Sequence, residues 1–223
     1  MWDKDMIWML VEGTGATLLM TLVSTFFAYL IGLPAGILLV VTNKNGLKPN
    51  MPIYKTMDVI VNILRSVPFL ILLITVIPLT TFIVGKSYGS VATIVPLTIA
   101  AAPFVARLVE SSLQEVDHGV IEAAESMGAS VGTIVWKVLL AEARTSLIVG
   151  VTIAIGTILG YSAMAGVVGG GGLGDIAIRY GYYRYQTNVM MVTVILLVAL
   201  VQILQVIGMR MSKKLDKRTA GLS

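Results

Sequence analysis

The sequence predicts an all-α membrane protein with five transmembrane helices and one polar helical segment outside the bilayer, and three observations carry that expectation. Hydrophobic residues make up 57% of the chain and charged residues 13%, with a mean hydropathy of +0.90, whereas soluble domains carry about a quarter charged residues. The apolar residues gather into five runs long enough to cross about 30 Å of hydrocarbon. One extended polar island, residues 117–141, scans as helix between the third and fourth runs. A chain of 223 residues has room for these spans but not also for a soluble catalytic domain, which takes about 100 residues of its own. Without cysteine it forms no disulfide and no thiol-based metal or redox site, and the single His118 leaves no cluster for a transition metal. His118 reads as an ordinary surface residue. A net charge of +4 and a pI near 9.3 do not indicate a nucleic-acid partner, because basic residues gathered at membrane boundaries have a simpler cause.

Residues 1–13 are mixed in charge and carry Trp2 and Trp8, which suit a membrane interface. Asp3, Lys4 and Asp5 ahead of a long apolar run are unlike a cleaved secretory signal, so the first span, residues 14–42, is expected to stay. Gly32 and Pro34 are expected to kink it. Residues 43–52 form a polar, turn-rich loop. The second span is placed at residues 58–84 and includes Arg65, Ser66, Val67, Pro68 and Phe69. An arginine at mid-bilayer costs about 3 kcal/mol, so Arg65 is placed at the entry boundary or facing the protein interior. In the turn at residues 85–89, Gly85, Lys86 and Ser87 look like the tail of a phosphate-binding loop, but Thr80 stands where that motif needs glycine.

The third span, residues 90–108, holds Pro96 and Pro103 and is expected to be irregular and central. The fourth and fifth are residues 147–168 and 188–211. Between them lie Gly169, Gly170, Gly171, Gly172, Leu173 and Gly174, which formally fit a dinucleotide fingerprint. No strand precedes them and no acidic residue follows on a βαβ unit, so the cluster reads as a place where backbones approach closely or bend.

The polar island divides into two short helices. Asp117 caps the first, Val120, Ile121, Ala123, Ala124 and Met127 give it an apolar stripe, Gly128 takes the left-handed conformation that closes it, and Ser130 caps the second. With small Ala123 and Ala124 beside Glu122 and Glu125, the first helix does not bury itself and is shaped for the groove of another protein.

The order Glu122, Ala123, Ala124 and then Gly128 resembles the EAA loop of ABC importer permeases, where a coupling helix docks on the ATPase subunit. The family pattern usually ends in hydrophobic-Leu-Pro, and this chain has Leu139, Leu140 and Ala141. The segment from Arg65 to Pro68 resembles a run that amino-acid ABC permeases carry near a helix start. The chain as a whole, including Gly160, Tyr161, Ser162, Ala163 and Met164, is similar to the permease subunits of methionine ABC importers. That resemblance implies a type I ABC importer permease fold with a cytosolic coupling helix. It implies a homodimer in membrane lipid, two ATPase subunits on the cytosolic side and an extracytoplasmic substrate-binding protein that delivers methionine. ATP and magnesium would belong to the partner ATPase, and this chain would hold no cofactor and catalyse nothing. The glycine cluster, Gly169 to Gly172 with Gly174, is similar to a loop that faces outward in that family, and so toward the binding protein.

If the Glu122 loop faces the cytosol, Lys44, Lys48, Lys55, Arg65, Arg107, Lys137, Arg144, Arg210, Lys213, Lys214, Lys217 and Arg218 lie on that side or at its boundary. That is twelve of the sixteen basic residues, which satisfies the positive-inside rule with the N-terminus outside and the C-terminus inside a bacterial cytoplasmic membrane. An importer of another small amino acid or osmolyte stays open as an alternative. An ion-coupled transporter would carry ionisable residues mid-membrane, and no Asp or Glu falls in the central parts of the expected spans. A membrane enzyme would need a convergent titratable set that this composition barely allows.

Tyr161 and Met164 are three residues apart in a series of small residues, Gly156, Gly160, Ser162, Ala163, Ala165 and Gly166. Side chains of that size are either knobs packed on a neighbour or plugs across a lumen. The second alternative makes Tyr161 and Met164 the translocation gate.

Overall fold

The computed structural model describes residues 4–215, so Trp2, Lys217 and Arg218 lie outside the described residues. These residues are almost entirely helical and contain no strand. The long helices are α1 (Lys4–Thr42), α2 (Met51–Ser66), α5 (Ser90–Gln114), α9 (Arg144–Ala165) and α11 (Thr187–Leu215). Shorter pieces are α3 (Phe69–Thr75), α4 (Ile77–Val84), α6 (His118–Ser126), α7 (Val131–Ile134), α8 (Leu140–Glu142) and α10 (Gly172–Ile176). Four continuous segments, Lys4–Thr42, Ser90–Gln114, Arg144–Tyr182 and Thr187–Leu215, are long and apolar enough to cross a membrane. The pair α2 and α3, bent by 100°, passes the same test together and makes a fifth when taken as one span.

Several boundaries differ from the expected ones. Helix α1 is already formed at Lys4 rather than from residue 14, and Gly13 within it is a packing contact: a Cβ there would lie 2.4 Å from the Ile176 side chain. The second span, expected as residues 58–84, begins at Met51 and breaks at Val67. Asn50 starts it early by accepting from the Ile53 N–H at 3.3 Å. Pro68 then forces Val67 out of the helical region. The third span, expected to be irregular and to end at 108, is an unbroken helix to Gln114 with Pro96 and Pro103 inside it. The fourth, expected at 147–168, runs from Arg144 to Ala165 and tightens into a 3-10 turn at Gly166–Val168. The fifth, expected at 188–211, runs from Thr187 to Leu215.

The chain divides into two compact units, and α1, α5, α9 and α11 each contribute residues to both. The first contains the residues up to Ala28, Val67–Ala101 and Ala154–Gln205. Its core joins Leu10, Leu173, Ile176 and Val189. The second contains Tyr29–Ser66, Ala102–Ile153 and the residues from Val206 on. Here Leu39, Val61 and Ala106 meet, with Ala35, Tyr54 and Met57 packed around them. Gly32 and Gly36 let α1 lie against α5, for a Cβ on either would come within 2.6–2.8 Å of Ala102, Val105, Ala106 or Val109. Small residues four apart are how helices approach closely where no hydrophobic effect drives them together.

Candidate functional site

Helix α6 forms as its residues dictate. The Asp117 carboxylate accepts from the Gly119 N–H at 2.7 Å and fixes the entry. At the other end Gly128 sits at φ +76°, the Gly128 N–H donates to Glu125 O at 2.9 Å, and the Ala129 N–H donates to Ala124 O at 3.1 Å. Those bonds satisfy carbonyls that the last turn would leave open. Ser130 caps the next helix by accepting from the Thr133 N–H at 3.3 Å. His118 pairs with Glu122 at 3.3 Å on the open side of α6.

The two alanines differ in exposure. Ala124 is buried in its own chain, whereas Ala123 is exposed in line with Val120 and Met127, the last 81% exposed. The outward stripe is therefore Val120, Ala123 and Met127, and Ala124 is a support. Beside α6 a cavity of about 530 Å³ is lined by Asn43, Gly46, Leu113, Gln114, His118, Ile121 and Glu125, among others. Where the family pattern has proline, this chain stays helical. A π turn occupies Val135–Leu139, and Ala141 lies inside α8.

The glycine cluster is built mainly inward. Gly169, Gly171 and Gly172 have φ of +76°, +79° and +74°. A Cβ on Gly174 would lie 2.3 Å from Ala163 O, and one on Gly166 would lie 2.2 Å from the Gly174 backbone. Thr17 Oγ1 accepts from the Leu173 N–H at 2.9 Å, and Thr93 Oγ1 donates to Gly170 O at 3.1 Å. Gly170, Gly172 and Gly174 are buried. These three are not a face for a binding protein, since their lack of side chains serves close packing of α1, α5 and α9 on α10.

Tyr161 and Met164 also separate. Tyr161 stacks on Phe69, with ring centroids 4.6 Å apart and planes 4° apart. Met164 is 49% exposed and is no core knob.

One constellation escaped the sequence. Arg107 on α5 donates to the Asp58 carboxylate, to Glu110 at 2.6 Å and to the Asn62 carbonyl oxygen at 2.9 Å. Glu110, only 6% exposed, lies inside α5, beyond the end expected for the third span. The available signal was spacing: Asp58 and Asn62 are four apart on α2, and Arg107 and Glu110 are three apart on α5. Among the described residues no group of His, Asp or Glu is arranged to hold a metal ion.

Against this geometry, the family described as binding-protein-dependent transport system inner membrane component matches residues 29–221. The chain belongs to that family. Among its relatives, a probable D-methionine transport system permease protein MetI of Vibrio cholerae is 50% identical over 210 residues, covering 94% of this chain and 93% of that one. The D-methionine transport system permease protein MetI of Escherichia coli is 52% identical over 164 residues, 74% of this chain and 76% of that one. A solved structure described as inward-facing conformations of the MetNI methionine ABC transporter matches with a TM-score of 0.95 at 49% identity, covering 97% of this chain and all of that one. An amino acid ABC transporter at 20% identity, with a TM-score of 0.70, shares the fold. As a family member, this chain is an all-α inner-membrane component of the type I ABC importer permease fold.

Proposed function

We propose that the chain is the membrane-spanning permease subunit of an ATP-driven importer that moves methionine, in its D or L form, across a bacterial inner membrane. The observation that carries this reading is the 0.95 TM-score and 49% identity to a methionine ABC transporter over 97% of the chain. In this reading α6 is the coupling helix, and Val120, Ala123 and Met127 lie in a groove of the ATPase. Glu122 rims that contact and Gly128 fixes its angle. Two copies of the chain pair about a two-fold axis and present two such helices to two ATPase subunits, which hold ATP and magnesium. The N-terminus is outside, the α6 loop and C-terminus are cytosolic, and a binding protein delivers substrate from outside. Met164 closes the path near the two-fold axis until the ATPases close.

The test is uptake. The permease and ATPase reconstituted in proteoliposomes, with binding protein added outside, should accumulate labelled methionine only when ATP is enclosed. The ATPase should co-purify with the permease. A permease that purifies without an ATPase and accumulates methionine along an ion gradient would instead make it a secondary transporter.

A further inference from the structure

We propose that Arg65, with Asn62 beside it, lines the substrate path and holds the carboxylate of the passing amino acid; this rests on the importer reading above. The face of α2 that turns inward is marked by Tyr54, Met57, Asp58 and Val61, of which Tyr54, Met57 and Val61 pack in the second unit's core. Arg65 follows Val61 by four residues and Asp58 by seven, so it lies on that same inward stripe. Val61 is buried, yet Arg65 is exposed. The inward face therefore opens within one turn of helix.

What it opens to is set by charge. Arg65 lies in the last turn of α2, beside the 100° break within a helix pair apolar and long enough to make one span, and a guanidinium turned to lipid there is unfavourable. It has no hydrogen-bond or ion-pair partner among the described residues. The one carboxylate of α2, Asp58, is already engaged by Arg107, which also holds Glu110 of α5. Asn62 accepts from Arg107 with its carbonyl oxygen, at 2.9 Å, which leaves its amide N–H groups to donate. Two donors three residues apart, one a permanent cation with a forked geometry, are suited to a carboxylate. Water or substrate on that side removes the cost of the unpaired charge, and lipid does not.

The chain has no cysteine, so single cysteines report on this directly in the assembled permease and ATPase complex, with binding protein present. Arg65→Cys should react with water-soluble thiol reagents, and methionine under ATP turnover should slow that reaction several-fold. Attachment of a sulfonate should abolish uptake, and attachment of an ammonium group should leave at least about ten times more of it, the range of one charge-assisted hydrogen bond. Arg65→Gln should raise the apparent KM for methionine uptake. Ile63→Cys, 60% exposed on the other side of α2, should stay unmodified and active. The proposal is overturned if Arg65→Cys resists both reagents, if both attachments inactivate equally, or if Arg65→Gln lowers thermal stability or dissociates the dimer without changing KM. Wild-type vesicles that import no methionine would instead overturn the importer reading, and this one with it.

Discussion

Tyr161 lies flat on Phe69, with the two planes 4° from parallel and the centroids 4.6 Å apart, so the fourth span is tied to the first helix after the break at Pro68. The stack is worth about 1 kcal/mol beyond the area it buries. Tyr161→Ala should therefore lower thermal stability in detergent by about 2–4 kcal/mol. Met164→Ala, at a half-exposed site, should leave the melting temperature nearly unchanged and instead raise methionine leak through vesicles without ATP. A destabilised but tightly coupled Met164→Ala protein would make Met164 a packing residue.

Gly128→Val places a β-branched residue at φ +76°, at a cost of about 1–2 kcal/mol. A Cβ there meets nothing within 4 Å, so the strain is in the backbone and re-aims α6. Membrane insertion and yield should persist while substrate-stimulated ATP hydrolysis falls. Unchanged stimulation would show that the closing angle of α6 does not matter to coupling.

Gly160 in α9 and Gly166 in the turn that follows it should separate sharply. Gly160→Ala meets open space, whereas on Gly166 a Cβ would lie 2.2 Å from the Gly174 backbone. Gly160→Ala should be neutral or stabilising by up to about 1 kcal/mol. Gly166→Ala should push α10 away from α9 and sharply reduce the monodisperse yield by size-exclusion chromatography. Equal yields would mean that α10 shifts freely to accommodate a methyl group.

Removing Arg107 should be among the most damaging single changes. Arg107→Ala leaves Glu110, with 7% side-chain exposure, without its cation, and breaking a buried pair costs about 3–5 kcal/mol. The double variant Arg107→Met, Glu110→Gln should recover much of that loss, read as melting temperature in a double-mutant cycle. Additive losses would place the importance of Arg107 in its bond to Asp58 alone.

What was legible in the sequence was local. The caps Asp117 and Ser130 and the terminator Gly128 act through their own turns, so residue type and spacing suffice to place α6. Apolar run length likewise marks the spans. The bend after Ser66 was only half legible: Pro68 signals a break, but not the 100° angle, which depends on what each side packs against. Gly32 looks like a hinge until its close partner Val105 is known. Arg107 and Asp58 are 49 residues apart, and nothing near either one announces the other.

The orientation of α6 also depends on tertiary contacts, and it yields the sharpest test of the docking surface. Ala123 and Ala124 are adjacent, about 100° apart around the helix, and only Ala124 is buried, at 5% exposure. A larger side chain at 124 must displace the chain's own packing, so Ala124→Leu should cost about 1–3 kcal/mol of stability. Its effect on coupling should follow from that damage. Ala123 is exposed, so Ala123→Leu should melt close to the wild type. In the complex it would thicken the stripe between Val120 and Met127 and hold the helix off its groove. Ala123→Leu should therefore weaken ATPase co-purification and reduce stimulated ATP hydrolysis at least about tenfold, as expected when a central contact residue is overfilled. If Ala123→Leu instead retains both, the docking face lies elsewhere on α6, and the charged edge carrying His118 and Glu122 becomes the surface to substitute next.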